Sequence, residues 1–306
     1  MGIGRDDVKS REWALFWALG LIWGSSFLWI KVGVRELDPF TLVGWRLLFG
    51  TLGMVMVVVW QRPPFPRKRS TWVALALLGL VNTALPFVLI TWGEKSIDSA
   101  VASVLNSTVP LFTLVIAHLF LHDEPITARK VVGLLIGFAG ILILMARDLK
   151  FGSLRIGLLG QAAVLLAAVS YASASVFARR TMREVSPLVQ AFVPMAFSDA
   201  LVWSIATQVG DPGRLPLLAN TWIALLWLGL LGSCVAYLIY YNLLHSLGAT
   251  RATMVTYVFP VVGVALGVLF LHERADGHLL AGAALVVSSI AVVNWKAKAR
   301  DAAPAD

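Results

Sequence analysis

Long apolar runs recur along this chain with very few charged interruptions. Most approach or exceed the roughly 20 residues that a helix needs to cross a hydrocarbon core of about 30 Å. Eight runs contain no Asp, Glu, Lys or Arg: Trp13–Ile30, Thr71–Gly93, Ser99–Leu121, Val131–Ala146, Ile156–Ala178, Leu215–Thr250, Ala252–Leu271 and Gly277–Trp295. Two more carry a single charge each: Phe40–Gln61 with Arg46, and Pro187–Gln208 with Asp199. The pattern predicts ten membrane-spanning segments, with Leu215–Thr250 counted as one span.

The type of spanning structure follows from the lipid environment. Hydrocarbon offers no hydrogen-bond partner to the backbone, so a span must be a helix or part of a closed barrel. Barrel strands alternate apolar and polar residues, whereas these runs are continuously apolar. We therefore expect an all-α integral membrane protein. The first span lacks a small-residue cleavage site and should be retained rather than removed as a signal peptide.

Composition narrows the class of protein further. The chain has 306 residues, of which 58% are hydrophobic and only 14% charged, and its mean hydropathy is +0.81. A soluble domain carries about 25% charged residues, so a soluble enzyme and a disordered chain are both excluded. The single cysteine, Cys234, cannot form a disulfide within the chain.

The net charge of +8 would favour nucleic acid if the cations formed a patch, but they lie between the apolar runs. Cytoplasmic loops are enriched in Lys and Arg. A cytoplasmic N-terminus places 16 cations inside and 8 outside, which predicts ten helices with both termini in the cytoplasm. The tails, residues 1–12 and 297–306, are then topology signals, and no nucleic-acid partner is expected.

The two halves of the chain resemble each other. An offset of 148 residues aligns Trp23 with Tyr171, Ser25 with Ser173, Lys31 with Arg179 and Pro39 with Pro187. An offset of 150 aligns Pro110 with Pro260 and the Leu-Phe-Leu-His of residues 119–122 with that of 269–272. We therefore expect a first five-helix repeat over residues 13–147 and a second over 156–296.

Five is an odd number, so the second copy must enter the bilayer from the opposite side. Inverted repeats of this kind are typical of secondary transporters, whose substrate site lies near the midplane where the copies meet. The alternative is a duplicated membrane scaffold or receptor that transports nothing.

Several motifs of this chain resemble one known superfamily. They are Leu21-Ile22-Trp23-Gly24-Ser25-Ser26-Phe27, Asp38-Pro39 followed by Trp45-Arg46, and the paired proline-containing segments that end in Leu-Phe-Leu-His with a following Glu. Together they resemble the drug/metabolite transporter superfamily, its ten-helix EamA branch, and within that branch the YddG-type aromatic amino-acid exporters. The resemblance runs from about Trp13 to Trp295.

This resemblance implies an inner-membrane carrier that exports amino acids or related metabolites. It also implies that helices 1, 3, 4, 6, 8 and 9 enclose the substrate cavity, while helices 5 and 10 are peripheral.

Polar residues within the spans point to a binding surface independently of the resemblance. In the fourth span four such positions follow helical spacing, and the aligned positions of the ninth span repeat them. The two sets are Ser103, Asn106, Ser107 and Pro110, and Thr253, Thr256, Tyr257 and Pro260. If each helix continues through its proline, the carbonyl four residues earlier is freed and must face protein or a wet cavity. The alternative is that these side chains only bond neighbouring helices.

Other spans supply candidate walls for the same cavity. The eighth offers Ser233, Tyr237 and Tyr240 or Tyr241, whose rings and hydroxyls suit an amphipathic solute. The remaining candidates are Trp23 and Ser25 in the first span, Asn82 in the third, and Ser170 and Tyr171 in the sixth.

Charged residues within the spans are costly and often mark a transport pathway. Asp199 is a candidate for proton coupling, and Lys31 is a candidate partner for a substrate carboxylate. Arg46 and Lys31 lie near span ends in the sequence, so a structural role in which they extend toward the interface is the alternative that we favour.

Enzymes and channels fit the sequence less well. No HExxH, GxSxG or pair of membrane-embedded aspartates is present, and no ligand set indicates a metal or other cofactor. No ring of charges indicates a channel. We predict a carrier for neutral or zwitterionic solutes, above all aromatic or aliphatic amino acids, that works by alternating access without a nucleotide motor. Whether protons are coupled stays open.

Overall fold

The computed structural model describes residues 5–120, 127–149, 154–211, 213, 215–247 and 254–294, and all regular structure within them is helical. The ten helices are α1 (Arg5–Gly33), α2 (Pro39–Gln61), α3 (Arg69–Gly93), α4 (Ser99–Phe120), α5 (Ala128–Leu149), α6 (Leu154–Thr181), α7 (Pro187–Val209), α8 (Ala219–Leu247), α9 (Met254–Leu271) and α10 (Gly277–Asn294). The first eight contain stretches long and apolar enough to span a membrane, and α9 and α10 are shorter apolar helices. The predicted ten-helix fold is confirmed.

Large apolar side chains cover the outside of the bundle. Met56, Trp60 and Leu142 are exposed over 75%, 82% and 67% of their surfaces. Apolar exposure on this scale would drive aggregation in water, so this surface faces lipid.

The second helix of each half begins in the same way. The Asp38 side chain accepts hydrogen bonds from the backbone N–H groups of Phe40 and Thr41, and Pro39 follows it. Ser186 accepts from the N–H of Val189 in front of Pro187. An N-cap side chain followed by proline leaves few free N–H groups in the first turn. The duplicated sequence thus produces a duplicated helix start.

Helix packing repeats when the two halves are exchanged. We call α1–α5 the first unit and α6–α10 the second. The packing of α1 on α9 recurs as α6 on α4, and that of α2 on α8 recurs as α7 on α3. Helices α2 and α7 pack on each other, as do α5 and α10. Equivalent helices of the two units thus make equivalent contacts, as expected for a chain with two similar halves.

Irregular backbone also occurs at matching places in both units. π-helical turns occupy Leu80–Ala84 in α3 and Trp227–Val235 in α8. In α4 the helix ends at Asn106 and restarts at Val109, and the described part of α9 opens on the 3₁₀ turn Met254–Tyr257. Such departures from α geometry often mark functional positions in helices.

Pro110 and Pro260, which the repeat aligns, do not lie inside continuous α-helices. Pro110 is the second residue of the helical piece Val109–Phe120, and Pro260 is the third of Val258–Leu271. The N–H groups of a first turn have no partner within the helix, so proline fits there without loss. The condition for a freed carbonyl, a continuous α-helix through the proline, is therefore not met: Pro110 begins a new helical piece, and Pro260 lies in the first turn of an α-helical piece that follows a 3₁₀ turn.

Small residues allow α5 and α10 to pack closely at the edge of the bundle. A methyl group on Gly140 would lie 2.9 Å from the Gly282 carbonyl oxygen, and one on Gly133 would lie 2.9 Å from that of Ser289. These glycines therefore serve helix packing.

Candidate functional site

A cavity of about 120 Å³ lies in the middle of the bundle, where the two units meet. This volume is enough for several water molecules. Its walls come from α1, α2, α3, α4, α6, α8 and α9, and the residues that line it are Trp23, Ser26, Phe27, Ile30, Arg46, Asn82, Phe87, Ile90, Asn106, Val109, Tyr171, Ser175, Tyr237, Tyr240, Val255, Thr256 and Phe259. All six helices that the resemblance implies contribute, together with α2. Among the described residues, α5, α7 and α10 supply none of the lining.

Aromatic rings from both units form one wall of the cavity. The Trp23 ring lies 5.8 Å from the Tyr237 ring, 5.4 Å from that of Tyr240 and 6.3 Å from that of Phe259. These separations are those of attractive ring pairs. The Trp23 Nε1–H donates to the Gly232 carbonyl oxygen at 3.0 Å, which fixes the indole. The wall therefore presents an apolar, preformed surface.

The two π-helical turns hold the opposite unit through their carbonyl groups. In α3, the Val81 carbonyl accepts from the Ser170 hydroxyl at 2.6 Å, and the Asn82 carbonyl accepts from the Tyr237 hydroxyl at 3.4 Å. In α8, the Gly232 carbonyl accepts from Trp23. A wide turn leaves carbonyls unpaired within its own helix, and side chains across the interface take up these groups.

Arg46 is buried at the cavity, with only 4% of its surface exposed. Its guanidinium carbon lies 3.7 Å from the centre of the Phe87 ring, and its Nε–H donates to the Ser233 hydroxyl at 3.1 Å. The expectation that Arg46 extends toward the interface is wrong. It is the eighth residue of α2, and its side chain is turned inward to a ring and a hydroxyl.

Some of the predicted binding residues line this cavity. They are Trp23, Asn82, Asn106, Tyr171, Tyr237, Thr256 and, of the alternatives Tyr240 and Tyr241, Tyr240. Asn106 is 6% exposed, and its Oδ1 atom has no hydrogen-bond partner among the described residues. A buried acceptor without a partner costs about 1–3 kcal/mol, so this atom is available to a solute that can donate.

The remaining predicted binding residues lie outside the lining. They are Ser25, Ser103, Ser107, Pro110, Ser170, Tyr241, Tyr257 and Pro260. Ser103 and Ser107 donate to carbonyls three residues earlier in their own helix, at 2.8 and 2.7 Å. Thr253 lies outside the described residues. The polar stripe of α4 is thus divided, because only Asn106 reaches the cavity.

The two charged residues predicted to contact the solute or couple protons are also away from the lining. The Lys31 ammonium donates to the carbonyls of Glu94 and Ile97 at 2.6 and 2.7 Å. Asp199 is buried in α7, and its Oδ1 atom has no partner among the described residues. The structure therefore brings neither of them to the cavity.

At one end of the bundle, hydrogen bonds link loops to helix ends. Lys31 joins α1 to the α3–α4 turn. Glu273, which follows α9, accepts from the N–H groups of Ser99 and Ala100 at the start of α4, at 2.8 and 3.0 Å. Glu94 is fully buried there, and neither carboxylate oxygen has a hydrogen-bond partner among the described residues. The Glu273 carboxylate thus ties the second unit to the first at this end, while the Lys31 contact lies within the first unit.

Sequence reasoning missed the apolar part of the lining and Arg46. Phe27, Phe87 and Phe259 are cavity residues, but apolar residues in apolar spans give no periodic signal that separates them from lipid-facing ones. Arg46 could have been found, because a charged residue more than two turns into a span is a functional candidate by default. Within the described part of the chain, no group of three acidic, His or Cys side chains could hold a metal ion.

Comparison with known families gives two matches within the chain. The EamA-like transporter family matches residues 12–146 and again residues 158–295, so each unit carries one copy of the family pattern. A solved crystal structure shares the fold, with a TM-score of 0.67 and 23% identity over 93% of this chain and 96% of that one.

Several curated relatives match most of this chain. The uncharacterized inner membrane transporter YedA of Escherichia coli is 33% identical over 83% of this chain and 80% of its own length. The uncharacterized transporter YoaV of Bacillus subtilis is 27% identical over 88% and 92%. A WAT1-related chloroplastic protein of Arabidopsis thaliana is 28% identical over 93% and 69%. With both units matched, this chain is a multi-pass membrane protein that belongs to the EamA-like transporter family.

Proposed function

We propose that this transporter is a secondary carrier of the inner membrane that exports amino acids with aromatic or other apolar side chains, or closely related metabolites. The observation that carries the proposal is the cavity between the two units, with its wall of Trp23, Tyr237, Tyr240 and Phe259. Clefts that bind small molecules combine mostly apolar walls with a few polar groups. Asn82, Asn106 and Thr256 supply such groups here.

The proposed mechanism is alternating access. Inverted-repeat carriers move one unit against the other around a fixed midplane site. In this chain the units correspond to residues 13–147 and 156–296, both termini lie in the cytoplasm, and the Glu273 carboxylate joins the two units at one end of the bundle by accepting from the N–H groups of Ser99 and Ala100. Opening at that end requires these contacts to break.

Counterflow in proteoliposomes tests the proposal. Liposomes loaded with one unlabelled amino acid at a time are diluted into the same labelled compound, with and without a pH gradient. We expect exchange of phenylalanine, tryptophan, tyrosine or leucine well above that of empty liposomes. Failure of every amino acid and related metabolite to exchange would contradict the proposed substrate class.

Substitutions in α4 separate the cavity from the rest of the polar stripe. Asn106→Ala removes a lining amide, whereas Ser103→Ala removes a neighbouring hydroxyl that bonds only within its own helix. We expect exchange to fall about 5- to 30-fold in the first variant, as for loss of one hydrogen bond of roughly 1–2 kcal/mol, and to stay near wild type in the second. An equal loss of exchange in both variants would contradict a direct role of Asn106 in solute binding.

Proton coupling is part of the same experiment. If transport depends on a pH gradient, Asp199→Asn tests whether the buried carboxyl group of α7 carries the proton. Retention of the full pH dependence in this variant would exclude Asp199 from that role.

A further inference from the structure

The position of Arg46 has a consequence for the kind of solute that the cavity accepts. Arg46 is the one basic residue among the described lining residues, and α2 is the one helix contributing to this described lining that the family resemblance does not place there. Phe87 and Ser233 hold the guanidinium group from two sides. Its orientation is therefore set by the protein before any solute binds.

Most of the hydrogen-bonding capacity of Arg46 is unused. A guanidinium group carries five N–H donors, and only the Nε–H donates to a described residue. In the part of the chain that the structure describes, Nη1 and Nη2 form no hydrogen bond, and Arg46 forms no ion pair with a carboxylate. The four remaining donors thus have no acceptor from these residues.

A buried cation without a counter-ion is strongly unfavourable. Removal of a charge from water carries a large free-energy penalty, which is offset only by close pairing and hydrogen bonds. In direct contact with the guanidinium, the described residues offer a ring face and one hydroxyl, and neither supplies a negative charge. The buried carboxyl group of Glu94 interacts with Arg46 electrostatically but forms no ion pair with it. An anionic group of a solute would meet this need, and a carboxylate matches the two parallel donors of a guanidinium edge.

We propose that Arg46 binds the carboxylate of the transported solute, so that the substrates are small carboxylic acids, zwitterionic amino acids among them, and not the corresponding amides or amines. This inference rests on the proposed function and assigns its selectivity to one side chain. The aromatic wall then receives the apolar part of the same molecule. Lys31 does not compete for this role, because its ammonium group donates to two backbone carbonyls away from the lining.

Competition assays test the assignment. Counterflow of the amino acid that exchanges fastest is measured in the presence of unlabelled phenylalanine, phenylalaninamide, phenethylamine or 3-phenylpropionate. We expect the wild-type protein to prefer phenylalanine over its amide by about 10- to 100-fold, as for loss of a charge-assisted hydrogen bond. Arg46→Gln should reduce that preference to about threefold or less, and Arg46→Lys should retain part of it. Arg35→Gln, at an exposed position in the α1–α2 turn, is the matched control and should leave the preference unchanged.

A second measurement does not depend on the variants folding. Thermal unfolding of purified wild-type protein is followed with millimolar phenylalanine or phenylalaninamide, and only the acid should raise the unfolding temperature. Equal competition or equal stabilisation by acid and amide would overturn the role of Arg46 and leave the carrier function intact. Absence of all exchange would instead contradict the proposed function, and stabilisation by neither compound would contradict both. Full preference for the acid in Arg46→Gln would also overturn the assignment.

Discussion

The contact between Glu273 and the start of α4 is the clearest place to perturb the junction between the two units. Asp98 occupies the N-cap position of α4 but makes no capping hydrogen bond with its side chain. Glu273 takes over this role from the other unit and accepts from Ser99 and Ala100. One carboxylate therefore both caps α4 and joins the two units, and its contacts must break if the units separate at this end.

The expected effect follows from the two hydrogen bonds. Each bond to an ionised acceptor contributes about 1.5–3 kcal/mol, and a negative charge at a helix N-terminus adds roughly 0.3–1 kcal/mol. Glu273→Gln keeps one acceptor atom, loses the charge and places an NH₂ group opposite an N–H donor. We expect it to shift the equilibrium toward the separated state by about 1.5–3 kcal/mol, which is roughly 10- to 150-fold.

Hydrogen–deuterium exchange of protein in nanodiscs measures this shift. Peptides that contain Ser99 and Ala100 should exchange about 10- to 150-fold faster in Glu273→Gln than in wild type, as expected from the opening equilibrium. Asp276→Asn is the matched control, because Asp276 accepts from the Leu279 N–H and so caps α10 within the same unit. Its effect should be confined to α10. Unchanged exchange at the start of α4 in Glu273→Gln, or an equal increase there in Asp276→Asn, would refute the proposed role of Glu273 in joining the units.

Two further predictions concern packing and capping. Gly263→Ala should lower the free energy of unfolding by about 1–3 kcal/mol through overpacking, because the added methyl overlaps Ser103 across the α4–α9 contact. The control Gly277→Ala should be neutral, because its methyl meets nothing within 4 Å. Thermal unfolding in detergent compares the two variants, and equal unfolding temperatures would refute the steric argument. Burial alone would raise the pKa of Asp38, but hydrogen bonds from Thr41, Asp211 and Phe40 outweigh it and lower the pKa below 3.8. The ionised Asp38 side chain therefore stabilises the fold above its unfolded pKa of about 3.9. This stabilisation is lost as the pH falls through the pKa of the folded state. Asp38→Ala should therefore cost about 0.5–2 kcal/mol at pH 7 and progressively less below pH 4 in the same assay, and a cost that does not vary with pH would contradict the role of the charge.

The sequence was sufficient to predict the ten helices because each membrane helix is encoded by a long run of neighbouring apolar residues. Apolar runs, an offset between the halves and an odd number of spans predict ten helices in two inverted units, and helix packing repeats accordingly. The helix starts at Asp38 and Ser186 also depend only on neighbouring residues, since an N-cap residue followed by proline can be recognised in the sequence.

The lining of the cavity was only partly predictable because helical spacing defines a stripe but not its neighbours. In α4, Ser103 and Asn106 share the predicted face, yet Ser103 packs beneath Gly263 and only Asn106 reaches the cavity. The reason lies in α9, where the missing side chain of Gly263 lets α4 approach. A contact between residues 160 positions apart cannot be read from the periodicity of either helix.

The repeat also explains why a single cation can determine the orientation of a solute. In the register that aligns Pro39 with Pro187, Arg46 falls on Pro194, so the second unit has no matching charge. Many other lining positions remain similar between the units, as Trp23 is to Tyr171 and Asn106 is to Thr256. A cavity with strict two-fold symmetry would accept a zwitterion equally well in two opposite orientations. Because the cation is present in one unit only, the carboxylate has one preferred position, and the apolar part of the solute must lie against the remaining wall.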